Sequence, residues 1–183
     1  MSIIFLFGCA NIREYKWTNF PDQKIMREIP VFIDIGFSFE DKIVIRESIN
    51  EWNRALNGNI RIEIRSESFD LEVKDIKRAF AENGIMIMKI GSDNPIIPIR
   101  KERILAWFVD HRIYIIRDRV RHLKENMLHE IGHFLGVQHI EGKKSIMASE
   151  YWAENSTCLD KWTMEKVARS QMIGIDKLNY CFE

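Results

Sequence analysis

Hydrophobic and polar positions along the chain follow two periods, one typical of strands and one of helices. In NIRIEIRSE (59–67), isoleucines at alternate positions place an apolar face opposite a charged face, which predicts a half-buried strand. In the segment 38–58, apolar residues recur at helical spacing behind Ser38, a favoured N-cap residue, and predict an amphipathic helix. Two more strands are predicted at VFIDIGF (31–37) and GIMIMKIG (84–91).

The second half of the chain continues this mixture. RILAWFVD and RIYIIRD, joined through residues 110–112, predict a β-hairpin. Further helices are predicted at 73–81, at about 119–135 and in WTMEKVARSQMIG. The last of these would have Thr163 as its N-cap and Gly174 as its C-cap. A chain of 183 residues can bury one sizeable core, so we expect a single α+β domain over residues 30–183.

The N-terminal segment has a different composition. Residues 1–9, MSIIFLFGC, are uncharged and mostly apolar, and a polar lead-in over residues 10–29 follows. The end of the apolar run resembles a bacterial lipobox, which makes Cys9 a candidate lipidation site and residues 1–9 a lipoprotein signal. The alternative is a hydrophobic strand packed against the fold. The lipobox interpretation predicts an extracytoplasmic lipoprotein held to the membrane only by its lipid, with a secreted or a cytoplasmic protein as alternatives.

Charge and cysteine content narrow the partners and the compartment. The chain carries 27 basic and 27 acidic side chains, so it has no overall field to attract nucleic acid or an acidic membrane surface, and we expect no nucleic-acid partner. Apart from Cys9, the cysteines are Cys158 and Cys181. In an exported chain these two could form a disulfide around the terminal helix, whereas in a cytosolic chain they would be free thiols.

The richest candidate chemistry lies in HEIGHFLGVQH. His129 and His133 would lie one helical turn apart, with Cβ atoms roughly 6 Å from each other, so that both imidazoles can bind one metal ion. Glu130 could then activate a water on that metal. Gly136 can end the helix in the left-handed region and return the chain so that His139 becomes a third ligand. Three ligands leave one position open, which is typical of a catalytic rather than a structural Zn²⁺.

These residues resemble the extended motif of the metzincin zinc peptidases at every specified position. SIMA places Met147 eight residues beyond His139, as in the methionine turn of those enzymes, and this short gap is most similar to the matrixin branch. The resemblance implies a zincin-like α+β catalytic domain with a twisted mixed sheet, an active-site helix and a small C-terminal subdomain. It also implies that Met147 packs beneath the imidazoles without binding the metal.

The implied activity is a zinc-dependent endopeptidase in which Glu130 activates the attacking water. An extended protein or peptide substrate would pair with an edge strand, for which ILAWF is the candidate. Ile140, directly after the last histidine, matches the signature of no particular branch, so the sequence does not predict the substrate. Two other functions stay open: a lipid-anchored zinc-binding protein of the same fold without turnover, and a zinc hydrolase of non-protein amides.

Overall fold

The computed structural model describes residues 28–70, 73–97, 104–149 and 157–181. In chain order, the elements are β1 (Glu28–Asp34), α1 (Phe39–Leu56), β2 (Arg61–Phe69), α2 (Val73–Ala81), β3 (Ile85–Ile90), β4 (Ala106–Val109), β5 (Arg112–Ile116), α3 (Leu123–Phe134), α4 (Lys161–Ser170) and a short 3₁₀ helix, Ile175–Lys177. This succession of strands and helices confirms the predicted α+β class.

The strands form one five-stranded sheet in the order β2-β1-β3-β5-β4. β1, β2, β3 and β5 run parallel, and β4 pairs antiparallel with β5 at the edge. Strands in the middle of a mostly parallel sheet are covered on both faces, which explains why IMIMKI in β3 is apolar almost throughout. The sheet is therefore mixed, as expected, and β4 is one of its two edges.

Each face of the sheet has its own apolar cluster. Alternate residues of β1, such as Val31 and Ile33, pack on the face that carries α1, α3 and α4. Phe32 points to the opposite face, where Ile76, Ala79 and Phe80 of α2 share an apolar cluster with Met86 and Met88. The first cluster is the larger one, and it is the one that supports α3.

Helix α1 determines where α3 lies on the sheet. Trp52 is fully buried between the two helices, and its Nε1–H donates to the carbonyl oxygen of Leu128 at 3.2 Å. At the helix surface, Lys124 Nζ lies 2.7 Å from a carboxylate oxygen of Glu51. One hydrogen bond, one ion pair and a shared apolar face thus fix the helix that carries the first two histidines.

Helix and strand types follow the sequence pattern, but several predicted ends were wrong. β1 runs over 28–34 rather than 31–37, because the Asp34 carboxylate accepts the Gly36 N–H at 2.7 Å and turns the chain. The β4–β5 turn has two residues, not three: Asp110 and His111 both have positive φ, at 46° and 66°, as a tight hairpin requires.

Two helix starts also differ from the prediction. α3 begins at Leu123 rather than near 119, because residues 117–120 form turns in which the Val120 N–H donates to the Ile116 carbonyl at 3.1 Å. The N-cap of α4 is Asp160, whose carboxylate accepts the Thr163 N–H at 3.0 Å, so Thr163 lies inside the helix. That helix ends at Ser170, and Gly174 instead precedes the 3₁₀ helix.

The lipobox and the lead-in that the sequence predicts stay predictions. Cys9, residues 1–9 and nearly all of the 10–29 lead-in lie outside the described residues. Within the described part of the chain, no helix has the length and apolar character needed to cross a membrane.

The α1–α3 contact gives a first test. Trp52→Phe removes the indole donor to Leu128 and leaves a smaller ring in a closed site, so the free energy of unfolding should fall by about 1–3 kcal/mol. Urea unfolding followed by far-ultraviolet circular dichroism measures it. Trp162→Phe is the matched control, because Trp162 is 42% exposed, and it should change stability by less than about 0.5 kcal/mol. Equal losses in both variants would contradict this role for Trp52.

Candidate metal centre

Three histidines meet beside the C-terminal half of α3. Potential ligand atoms of His129, His133 and His139 all lie within 4.8 Å of one another. Their ring centroids are 4.7, 4.9 and 5.3 Å apart. His129 and His133 come from successive turns of the helix, and His139 comes from the chain that follows it. The three residues that the sequence predicted as ligands therefore surround one point.

Gly136 makes the return of the chain feasible. Its φ is +85°, in the region that residues with a Cβ rarely adopt. Its N–H donates to the His133 carbonyl at 3.0 Å, and the Val137 N–H donates to the Gly132 carbonyl at 3.0 Å, which closes the helix end. A Cβ at this position would also lie 2.1 Å from Ser170 Oγ. Conformation and space both require glycine here.

Backbone carbonyls orient two of the rings. The Nδ1–H of His129 donates to the carbonyl oxygen of Ile146 at 2.7 Å, and that of His133 donates to the Val137 carbonyl at 2.8 Å. A carbonyl can only accept, so each Nδ1 carries the proton and each Nε2 keeps its lone pair for a ligand.

The third ring shows why the site suits a metal. Nε2 of His139 is buried and has no hydrogen-bond partner among the described residues. Buried polar atoms are almost always paired, so this one indicates a missing partner. Imidazole nitrogen is a preferred donor for Zn²⁺, and the histidine set fits that ion.

The electrostatic environment keeps the rings neutral. Burial, assisted by the neighbouring His133, lowers the pKa of His129 well below its ordinary value. Burial and the nearby His139 lower the pKa of His133 to about 4. Burial also lowers the pKa of His139, against the opposing effect of Glu141. Neutral imidazole is the form that binds metal, so at neutral pH no proton has to be displaced from these rings.

Glu130 is buried next to the triad, with only 2% of its surface exposed. It lies between the two helical histidines in sequence but turns away from solvent. An acidic side chain is seldom buried to this extent unless its surroundings compensate the lost hydration. The carboxylate is thus shielded from bulk water.

The methionine turn lies directly beneath the helix. Met147 is fully buried, and its carbonyl accepts the Ile140 N–H at 2.9 Å, which closes the loop after His139. A Cβ on Gly132 would come within 2.4 Å of Met147 Sδ. Gly132 was not predicted from the sequence as a site residue, although a glycine inside a helix is a signal in itself, because it lowers helix stability by about 1 kcal/mol relative to alanine. Gly132 permits the close approach of the methionine turn to α3.

A buried polar network, also missed from the sequence, holds the turn from the other side. Asp160, only 4% exposed, accepts a hydrogen bond from Ser145 Oγ at 2.9 Å and another from the Ile146 N–H at 2.9 Å. Thr163 donates to the same carboxylate through its hydroxyl at 2.8 Å. The serine in SIMA and the start of α4 are thereby joined.

The structure also joins Cys158 and Cys181 in a disulfide, one of the two alternatives left open by the sequence. The bridge connects the segment just before α4 to the end of the described chain. His111 and His122 are not members of the histidine cluster.

Fold and site together define an α+β protein with a candidate metal centre of three histidines. The sequence model of the matrixin family, Peptidase_M10, matches residues 55–169, which is more than half of the chain. The chain belongs to the matrixin family of zinc metallopeptidases.

Neither solved structures nor curated protein sequences add evidence about the function. A solved structure to which the chain is similar is metalloproteinase-II from Bacteroides fragilis, at 12% sequence identity and a TM-score of 0.45. That similarity covers 90% of this chain and 59% of the other, so this chain spans less than two thirds of that protein. No curated protein sequence matches.

Gly132→Ala tests the contact between α3 and the methionine turn. The new methyl group would overlap Met147 Sδ, so the free energy of unfolding should fall by about 1–3 kcal/mol in urea titrations of the metal-free protein. In a Met147→Ala background the space is open, and the same change should be neutral or stabilising because alanine favours a helix. An identical loss in both backgrounds would show that the two residues do not compete for space.

Proposed function

We propose that this chain is an endopeptidase in which His129, His133 and His139 hold one Zn²⁺ and Glu130 is the general base. Membership of the matrixin family supports zinc-dependent peptide hydrolysis in general. The observation that carries the finer assignment is the convergence of three half-buried imidazoles, two of them oriented by backbone carbonyls, in a segment that also holds one buried carboxylate.

The chain's own residues would perform the following parts of the reaction. A zinc ion bound by these residues would polarise a carbonyl group and lower the pKa of water toward about 7. A carboxylate oxygen of Glu130 takes a proton from the attacking water and then delivers it to the nitrogen of the leaving amine. Helix α3 fixes the base and two ligands on one rigid element, so their relative positions do not depend on a flexible loop.

Edge strand β4 supports a substrate bound in extended form. One side of β4 pairs with β5, and no described strand pairs with its other side. Phe108 of this strand packs edge-to-face on Phe134 of α3, with ring centroids 5.8 Å apart, so the free edge lies near the histidine helix. A peptide added there as a further strand would run past the metal centre in both directions, which suits cleavage inside a chain.

The alternative of a zinc-binding protein without turnover fits the site less well. Burying Glu130 opposes folding, and a metal held only for structure gains nothing from a carboxylate that serves as a base. The Cys158–Cys181 disulfide supports the proposal of an extracytoplasmic location, because such bonds persist in oxidising compartments. Anchoring through Cys9 remains part of that proposal.

Glu130→Gln tests the role of the base. The amide keeps the size of the side chain but cannot accept the proton, so peptide hydrolysis should fall at least about 100-fold while zinc content stays at the wild-type level. Cleavage of a broad peptide library, read by mass spectrometry, and elemental analysis measure the two effects. Glu125→Gln, on the same helix, should leave both unchanged. Residual activity near wild type in Glu130→Gln would refute this assignment. A zinc-loaded wild type that cleaves only non-peptide amides would instead favour a zinc hydrolase of non-protein amides.

His139→Ala tests the third ligand. Loss of one of three protein ligands should weaken zinc binding at least about 100-fold. The zinc content after dialysis against a chelator, compared with His122→Ala as a control outside the cluster, measures the effect. Equal retention of zinc in both variants would remove His139 from the ligand set.

A further inference from the structure

The disulfide lies close to the network that supports the metal centre, and we propose that the Cys158–Cys181 bond controls how tightly this chain holds zinc. The link would run through Asp160 and the methionine turn. This inference rests on the proposed function only for the ligand role of His129, and its consequence is measured on zinc binding rather than on peptide cleavage.

The connection from ligand to carboxylate is short. His129 Nδ1–H donates to the Ile146 carbonyl at 2.7 Å, and the Ile146 N–H donates to Asp160 Oδ2 at 2.9 Å. A single residue therefore separates the acidic side chain from a metal ligand. Hydrogen bonds to the non-ligating nitrogen orient an imidazole, and removing such partners typically weakens metal binding 10–100-fold. Asp160 acts here as a positioning residue.

The carboxylate has little freedom of its own. It also accepts bonds from Ser145 Oγ, from Thr163 Oγ1 and from the Thr163 N–H, at 2.9, 2.8 and 3.0 Å. Asp160 is buried, so solvent cannot replace these partners if they move. Asp160 therefore moves with the chain segment just before α4. An interaction that fixes this segment also fixes the methionine turn.

The disulfide holds that segment. Cys158 lies two residues before Asp160, and Cys181 forms an isolated parallel bridge with Asp160, in which the Cys181 N–H donates to the Leu159 carbonyl at 3.0 Å. Residues 178–181, the tail that carries Cys181, are attached to α1, because the Asn179 N–H donates to the Ala55 carbonyl at 2.8 Å. The sulfur bridge thereby ties the start of α4 to α1.

Both cysteines are half-buried, so a reductant can reach the bridge. An external dithiol would break the S–S bond by two-electron reduction: each cysteine sulfur gains one electron and one proton, and the dithiol becomes a cyclic disulfide. The covalent loop of sequence separation 23 is then open, and the Leu159–Asp160 segment is held by hydrogen bonds and by the packing of Leu159 in the apolar core, without a covalent link to Cys181. The turn carbonyl that orients His129 becomes less fixed, and zinc affinity falls.

Competition with a chromogenic zinc chelator tests the inference on three forms of the full chain. These are the oxidised protein, the protein reduced with a dithiol, alkylated and freed of reagents, and the Cys158→Ser/Cys181→Ser double variant. Alkylation and serine prevent the sulfur atoms from binding zinc. We expect about tenfold weaker zinc binding in the last two forms, with far-ultraviolet circular dichroism unchanged.

Asp160→Asn, with the disulfide intact, should weaken zinc binding by a similar factor, and opening the bridge in that variant should add little because both changes act on one path. Lys161→Ala, exposed and adjacent, is the matched control and should bind zinc as the wild type does. Unchanged affinity in the folded double variant, or in Asp160→Asn where the double variant is unfolded, would overturn the inference. Failure of the oxidised wild type to bind zinc would instead overturn the proposed ligand set.

Discussion

An imidazole binds a metal ion when it is neutral, and a hydrogen bond to its outer nitrogen turns its inner nitrogen toward the site. The backbone carbonyls of Ile146 and Val137 provide this constraint for two of the rings. They accept the Nδ1 protons, and burial keeps additional protons away from the inner nitrogens. The arrangement of the surrounding chain serves to place these two carbonyls.

One carbonyl comes from each side of the site. Val137 follows directly after Gly136, so the left-handed end of α3 fixes it. Ile146 belongs to the methionine turn, which is held between Gly132 above and the Asp160 network below. Helix α3 in turn rests on Trp52 and the sheet. The site is therefore a junction between the helix end, the turn and the start of α4, rather than a property of one helix.

Local features of this design could be predicted from the sequence. The spacing of the histidines, the need for glycine at position 136 and the helical and strand periods all depend on residues near each other along the chain. Ser38 is the N-cap of α1, as predicted. Its hydroxyl accepts the Asp41 N–H at 3.1 Å, a contact within one helical turn. The Gly132–Met147 approach and the role of Asp160 could not be predicted, since they join segments that only the folded chain brings together. The N-cap of α4 was misplaced because two good capping residues, Asp160 and Thr163, lie three positions apart and local pattern does not rank them.

The proposed site requires three imidazole nitrogens of this chain to bind one zinc ion. X-ray absorption at the zinc edge of the zinc-loaded protein tests it most directly. We expect one zinc per chain with three imidazole nitrogen neighbours at about 2.0–2.1 Å and no sulfur in the coordination sphere. A sulfur neighbour at about 2.3 Å, or fewer than three imidazoles around the metal, would contradict it.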